Sequence, residues 1–164
     1  MSGVDQTSDH WTARLPKKRM AAGALFFDKD GRVLLVEPTY TPGWDYPGGV
    51  VEANETPYVA ACREIEEELG LSTKLGGLLA VDWEPARDEI PLEGFGVVFD
   101  GGMLSDDEIA RIRLPAEELH RFGFFTPAEA AELLPAHLWR RVSAAMRARD
   151  DATAVYLDDG YPVR

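Results

Sequence analysis

Blocks of hydrophobic and polar residues along the chain predict strands and helices in mixed order. Apolar runs typical of strands occur at residues 20–27, 32–37, 75–83, 94–100, 121–125 and 154–157. Apolar residues at helical spacing predict helices at residues 57–69, 126–134 and 135–149. Residues 106–113 are ambiguous and fit one helical turn followed by a strand. The mixture predicts an α/β domain with a mixed β-sheet between helices.

The helix at residues 57–69 has defined ends and two different faces. Thr56 is a good N-cap, Pro57 suits the first helical position, and Gly70 is a natural stop. One stripe of the helix is apolar and should face the core, and it holds Tyr58, Ala61, Cys62, Ile65 and Leu69. The opposite side is acidic and is formed by Glu64, Glu67 and Glu68.

Like charges on one helix face repel each other, and each such pair costs a helix about 0.2–0.5 kcal/mol. A solvated surface is one explanation of this face, and pairing of Arg63 with Glu67 accounts for part of it. A cation bound among the carboxylates is the other explanation, and hard oxygen ligands suit Mg²⁺ or Mn²⁺. The preceding glycine pair favours a cation, because Gly48 lets the backbone and its carbonyl approach an ion closely.

The segment from Gly49 to Leu71 resembles the Nudix box, G-x5-E-x7-R-E-U-x-E-E-x-G-U, where U is a bulky aliphatic residue. All nine fixed positions match, namely Gly49, Glu55, Arg63, Glu64, Ile65, Glu67, Glu68, Gly70 and Leu71. The resemblance implies a Nudix-type α/β/α sandwich with a mixed β-sheet. It also implies a divalent cation and attack by water on a nucleoside diphosphate linked to another group.

The resemblance also implies roles for individual residues. Metal ligands are expected to be Gly48, through its backbone carbonyl, and the acids Glu64, Glu67 and Glu68. An ion pair between Glu55 and Arg63 is expected to hold the loop against the helix. The base that activates water is left open between the box acids Glu64 and Glu67 and an acid from a later loop, Glu118.

Substrate choice depends on residues outside the box. Tyr40, Trp44 and Tyr46 lie in the loop before it, where they could stack on a base or pack within the protein. The leading expectation is hydrolysis of a nucleoside triphosphate, including oxidised or non-standard ones, to a monophosphate and pyrophosphate. The alternative is an ADP-ribose or nucleotide-sugar pyrophosphatase. In some Nudix enzymes a proline at a set distance past the box accompanies ADP-ribose use, and Pro85 lies one residue from that position. A nucleotide-sensing domain without catalysis is disfavoured, because every box glutamate is present.

Length and composition restrict the remaining possibilities. The 164 residues predict one domain at residues 19–150, between a flexible N-terminal tail at 1–18 and a C-terminal tail at 151–164. The net charge of −12 disfavours nucleic-acid binding. No apolar run approaches the ~18 residues of a membrane span, and no signal peptide is apparent, so a cytoplasmic location is expected. Nudix proteins are often dimers, so the resemblance leaves a homodimer open.

Overall fold

The computed structural model describes residues 10–163. The predicted N-terminal tail at residues 1–18 therefore lies partly outside the described residues. Its described part contains a short 3-10 helix at Trp11–Arg14, and the first strand begins at Arg19.

The described residues form one mixed sheet of eight strands. The strands are β1 (Arg19–Phe27), β2 (Val33–Pro38), β3 (Gly48–Val50), β4 (Leu78–Glu84), β5 (Gly94–Met103), β6 (Leu119–Phe125), β7 (Val155–Asp158) and β8 (Tyr161–Pro162). Their order is β6-β2-β1-β5-β4-β7-β8, and β3 pairs with β1 off this path. The β1–β5 and β4–β7 pairs are parallel and the others are antiparallel.

Helices cover both faces of the sheet. They are α1 (Pro57–Leu69), α2 (Asp106–Ala110), α3 (Pro127–Leu133) and α4 (Ala136–Asp150). On one face, Ile65 of α1 is buried against a core that includes Phe26. On the other face, Val142 of α4 is buried with Leu25. The predicted α/β/α sandwich with a mixed sheet is confirmed, and no helix among the described residues is long and apolar enough to cross a membrane.

Two local predictions were wrong in part. The strand predicted at residues 94–100 is longer than expected, because β5 continues through Gly101 and Gly102 to Met103. The pairing of β1 with β5 shifts register beside them, and Gly102 adopts a φ of 78°, which suits a bulge. Residues 106–113 form only the short helix α2, without a strand.

The segment after α4 adds strands to the sheet. The strand expected at residues 154–157 is present as β7 and pairs in parallel with β4. A turn at Asp159 and Gly160 then leads into β8, which pairs with β7 at the edge of the sheet. Part of the predicted C-terminal tail at residues 151–164 is therefore regular structure.

Candidate active site

The acidic helix α1 forms as its sequence predicts. The Thr56 side chain accepts a hydrogen bond from the Val59 N–H at 3.2 Å, and Pro57 occupies the first turn. Gly70 ends the helix in the left-handed region, with a φ of 68°, and its N–H donates to the Glu66 carbonyl. These ends, together with the buried apolar stripe, fix which face of α1 carries the carboxylates.

Glu68 is a buried carboxylate on this helix, with 7% of its surface exposed. Its Oε2 accepts a hydrogen bond from the Gly48 N–H at 2.9 Å. Burial raises the pKa of Glu68 to about 8, the Gly48 N–H opposes this, and the negative charges of Glu64, Asp45 and Glu118 raise it further. The protein thus makes the charged form of Glu68 unfavourable, and a nearby cation would relieve that cost.

Glu64 lies against the backbone of Gly49. A Cβ atom placed on Gly49 would overlap the Glu64 carboxylate, so the glycine is what leaves room for this acid beside the β3 backbone. Burial also raises the pKa of Glu64, although the hydrogen bond from Arg63 opposes this shift. The glycine at the start of the box therefore has a direct structural purpose.

Arg63 joins the loop to the helix. Its Nε and Nη2 donate to the two oxygens of Glu55 at 2.8 and 3.0 Å. Its Nη1 donates to Glu64 at 2.8 Å and to Glu67 at 3.2 Å, and its Nη2 also donates to the Val50 carbonyl at 3.0 Å. The hydrogen bonds from Arg63 lower the pKa of Glu55 to about 2. These are the contacts that a brace between Glu55 and Arg63 requires.

The acids are close enough to influence one another's pKa values. Among residues 10–163, no three acidic, histidine or cysteine side chains are gathered tightly enough to hold a metal ion. Arg63 draws Glu64 and Glu67 towards itself, and the Glu67 side chain is 54% exposed. The donor chemistry nevertheless fits a hard divalent cation, because all donors are oxygens and the Glu68 charge is buried.

Glu118 reaches the box from the turn before β6. The Thr39 N–H donates to the Glu118 carbonyl at 2.8 Å, which joins this turn to the loop between β2 and β3. The charge of Glu118 contributes to the raised pKa values of Glu64 and Glu68. The structure therefore brings this later acid towards the box acids.

Tyr40 lines an open cleft of about 270 Å³ and is near enough to the acids to be affected by their charge. The cleft is lined by Glu37, Pro38, Thr39, Tyr40, Thr41, Pro42, Gly43 and His120. Tyr40 is 75% exposed, yet partial burial and the negative charges of Glu68 and Asp45 raise the pKa of its hydroxyl. Its ring is thus available to a ligand that lies beside the acids.

The other two loop aromatics are engaged within the protein. Trp44 packs edge-to-face on Phe125 with ring centroids 4.9 Å apart, and the Arg121 guanidinium lies 5.2 Å from its ring centre. Trp44 therefore anchors the loop to β6. Tyr46 is 8% exposed and belongs to the core beneath α4, so it packs within the protein and is not placed to stack on a substrate.

Asp45 is a site residue that sequence reasoning missed. Its backbone N–H and carbonyl bond with Val36 at 2.9 and 2.8 Å, which places it beside the central strands. Burial raises the pKa of Asp45 to about 6, and its charge in turn raises the pKa of Glu68. An acid between the aromatic residues Trp44 and Tyr46 was the available sequence signal.

A comparison with models of protein families identifies the family of the chain. The model of the NUDIX domain matches residues 17–146, which include every residue of the site described above. The chain belongs to the Nudix family. Nudix hydrolases generally use divalent metal ions, which agrees with the oxygen-rich donor set on α1.

Individual Nudix relatives resemble parts of the chain. Diphosphoinositol polyphosphate phosphohydrolase 2 of Rattus norvegicus is 44% identical over 66 residues, 40% of this chain and 37% of the relative. RNA pyrophosphohydrolase of Halorhodospira halophila is 45% identical over 53 residues, 32% of this chain and 29% of the relative. The matched segments thus span less than half the length of these two curated relatives.

The fold is also similar to that of solved Nudix structures. The crystal structure of the MutT NUDIX hydrolase from Burkholderia pseudomallei superimposes with a TM-score of 0.62 at 27% identity. The match covers 80% of this chain and 98% of that protein, so the similarity includes the sheet and its helices as well as the box.

Proposed function

We propose that the protein is a Mg²⁺-dependent pyrophosphohydrolase that cleaves the diphosphate of a free nucleotide or nucleotide derivative. The observation that carries this proposal is the buried carboxylate of Glu68, which lies near other acids within a complete Nudix box. A buried carboxylate with a structural role is normally paired with a positively charged side chain of the protein. Here the cation is expected to be the metal.

We assign the metal to Glu64, Glu67, Glu68 and the backbone carbonyl of Gly48. When bound, a divalent cation shields phosphate charge and lowers the pKa of a coordinated water. Glu68 and Glu64 are the firmest of these ligands, because both are partly or wholly buried and face the glycine pair. Mn²⁺ is expected to substitute for Mg²⁺, since both prefer oxygen ligands.

Glu118 is our preferred base for the water. Arg63 donates hydrogen bonds to Glu64 and Glu67, so oxygens of both acids are already engaged in the brace. Within the described part of the chain, the Glu118 carboxylate is exposed and has no ion pair. In this assignment a Glu118 oxygen takes the proton of the attacking water, while Glu55 and Arg63 keep α1 and its loop in place.

The charge distribution supports a substrate with few phosphates. Arg63 contacts Glu64 and Arg121 contacts Trp44, but these two arginines are already paired with Glu55 and Glu37. Lys18 also has a partner, Glu93. A densely phosphorylated inositol or an RNA end would meet few free cations on a protein with a net charge of −12. We therefore favour a free nucleotide, with its base or sugar beside Tyr40.

A hydrolysis screen tests the proposal. The panel contains nucleoside triphosphates, oxidised dGTP, ADP-ribose, nucleotide sugars, dinucleoside polyphosphates and a diphosphoinositol polyphosphate, each with Mg²⁺ and with EDTA. We expect metal-dependent turnover of one nucleotide class, and that class chooses between triphosphate and ADP-ribose or nucleotide-sugar chemistry.

Two variants connect the turnover with the site. Glu68→Gln should lower kcat by about a thousandfold, the loss of roughly 4 kcal/mol of transition-state stabilisation. Glu66→Gln is the matched control, because Glu66 lies on the same helix but is exposed to solvent, and it should retain normal turnover. Equal activity in both variants would contradict the metal assignment. A folded, Mg²⁺-binding protein that turns over nothing in the panel would favour a nucleotide sensor.

A further inference from the structure

A second cluster of buried charges lies on the opposite face of the sheet, around Arg141 of α4. Arg141 is 3% exposed, and its guanidinium makes three side-chain contacts. Its Nε donates to Asp82 at 2.7 Å, its Nη2 pairs with Glu84, and its Nη1 donates to the Tyr46 hydroxyl at 3.2 Å. The guanidinium lies where a side chain on Gly96 would otherwise be, so β5 leaves space for it.

The cluster is balanced in charge and connects several elements. The second oxygen of Asp82 accepts the Gly160 N–H at 2.9 Å, which joins β4 to the turn before β8. Glu84 pairs with Arg19 as well as with Arg141. Two carboxylates thus face two guanidinium groups, and this compensation permits such deep burial. Among residues 10–163, the Tyr46 hydroxyl is the neutral side-chain group to which Arg141 donates a hydrogen bond.

Tyr46 connects this cluster with the active-site loop. It follows Asp45 and precedes Gly48 by two positions, and Gly48 is the residue whose N–H donates to Glu68. Pro47, between them, has a restricted backbone, and its carbonyl accepts the Ala24 N–H at 3.1 Å. A displacement of the Tyr46 ring would therefore be passed to Gly48 through a short and stiff segment.

We propose that Arg141 is a positioning residue for the Nudix site. Through the Tyr46 hydroxyl it holds residues 45–48 where the Gly48 amide meets the Glu68 carboxylate. Glu68 is the central ligand of the proposed metal site, so the consequence for metal affinity rests on the proposed function. The placement of Gly48 does not rest on it and can be measured in the metal-free protein.

The test uses Tyr46→Phe, which keeps the ring and removes only the hydroxyl. Amide hydrogen exchange is followed by NMR on the EDTA-treated protein. We expect the Gly48 amide to exchange between about twofold and tenfold faster, as the loss of one hydrogen bond predicts. The Leu104 amide, which donates to the Phe27 carbonyl elsewhere in the sheet, reports general loss of stability. An increase at Gly48 no larger than that at Leu104 would overturn the proposal.

Arg140→Met is the matched control on the same helix. Arg140 contacts Asp159 and the Tyr161 ring but not Tyr46, so its loss should weaken the β7–β8 packing without accelerating exchange at Gly48. Arg141→Lys keeps the charge but not the three-way fork, and it should accelerate Gly48 exchange as Tyr46→Phe does. Acceleration of Gly48 exchange by Arg140→Met to the same extent would overturn the role of Arg141.

Mn²⁺ binding measured by calorimetry provides the functional readout. We expect Tyr46→Phe to bind Mn²⁺ about tenfold more weakly than the unmodified protein, in the range seen when residues behind metal ligands are changed. Faster Gly48 exchange with unchanged Mn²⁺ affinity would overturn the connection to the metal site. If the unmodified protein itself binds no Mn²⁺, the proposed function fails, and Gly48 exchange alone decides the positioning role.

Discussion

Buried carboxylates on the two faces of the sheet have opposite surroundings. Asp82, beneath α4, accepts hydrogen bonds from the Arg141 guanidinium and the Gly160 N–H. Glu68, on α1, accepts one hydrogen bond from the Gly48 N–H and otherwise faces the charges of Glu64, Asp45 and Glu118. Both residues are less than a tenth exposed, so burial alone does not distinguish them.

The two acids differ in whether a positive charge of the protein compensates their negative charge. A buried acid that is paired and hydrogen-bonded stabilises the arrangement of the elements around it, and its loss leaves an opposite charge uncompensated. A buried acid that faces other acids destabilises the metal-free protein and becomes favourable only when a cation arrives. The α4 cluster therefore has the properties of a structural device, and the α1 cluster has those of a functional site.

Removal of a compensated charge should have the largest effect on stability. Asp82→Asn leaves Arg141 with a weakened partner inside the protein, and we expect the free energy of unfolding to fall by about 3–5 kcal/mol. Denaturant unfolding measures this change. Asp88→Asn, in an exposed loop, is the control and should stay within about 0.5 kcal/mol of the unmodified protein. A loss below about 1 kcal/mol for Asp82→Asn would mean that the α4 cluster is not structural.

Arg63→Ala should have an intermediate effect on stability, because Arg63 supplies the positive charge that partly compensates the acids of α1. It contacts Glu55, Glu64 and Glu67, and its loss leaves these acids facing one another. We expect a loss of about 2 kcal/mol, or a melting temperature lower by roughly 4–8 °C, together with at least tenfold lower activity. Arg63→Lys should recover part of the stability, since it keeps the charge without the fork. An unchanged melting temperature would count against the brace.

Glu68→Gln should stabilise the metal-free protein, and the gain should depend on pH. The folded protein holds the Glu68 proton up to a pKa of about 8, above the ordinary value of 4.5. The stability that protonated Glu68 contributes to the unmodified protein is therefore fully present below pH 4.5, and it is lost as the pH rises through 8. In EDTA, we expect Glu68→Gln to match the unmodified protein at pH 5 and exceed it by roughly 2 kcal/mol at pH 8.

Denaturant unfolding at several pH values checks this difference. Glu66→Gln, on the exposed side of α1, should show no comparable trend. A Glu68→Gln variant less stable than the unmodified protein at pH 8 would place Glu68 with the compensated acids and remove the contrast between the two faces.

The acidic side could largely be predicted from the sequence. The caps Thr56 and Gly70 depend on residues close together in the chain, and both are confirmed. The spacing of Glu64, Glu67 and Glu68 is equally local, but it did not predict that Glu68 would be buried. Periodicity also predicted the two-faced sandwich, because each strand and helix carries its own apolar pattern.

The compensated side could not be predicted in the same way. Arg141 meets Asp82 across 59 positions of sequence, and the meeting depends on the packing of α4 on β4. Tyr46 resembled a loop aromatic because its partner Arg141 is 95 positions away. Asp45 was missed for a related reason, since its burial depends on a bridge to Val36 that no local pattern encodes.

Tyr40→Ala should have the smallest effect, because Tyr40 lies at the rim of the acidic side and has little packing to lose at 75% exposure. We expect unchanged stability and unchanged kcat, with KM for the preferred nucleotide raised about fivefold, or roughly 1 kcal/mol of lost contact with its base or sugar. Tyr40→Phe keeps the ring and should keep KM near normal if stacking is the contribution. Steady-state kinetics on both variants distinguish a contact made by the Tyr40 ring from one made by its hydroxyl. A rise in KM with Tyr40→Phe as large as with Tyr40→Ala would assign the contact to the hydroxyl that faces the acids. A normal KM in both variants would place the substrate away from this cleft.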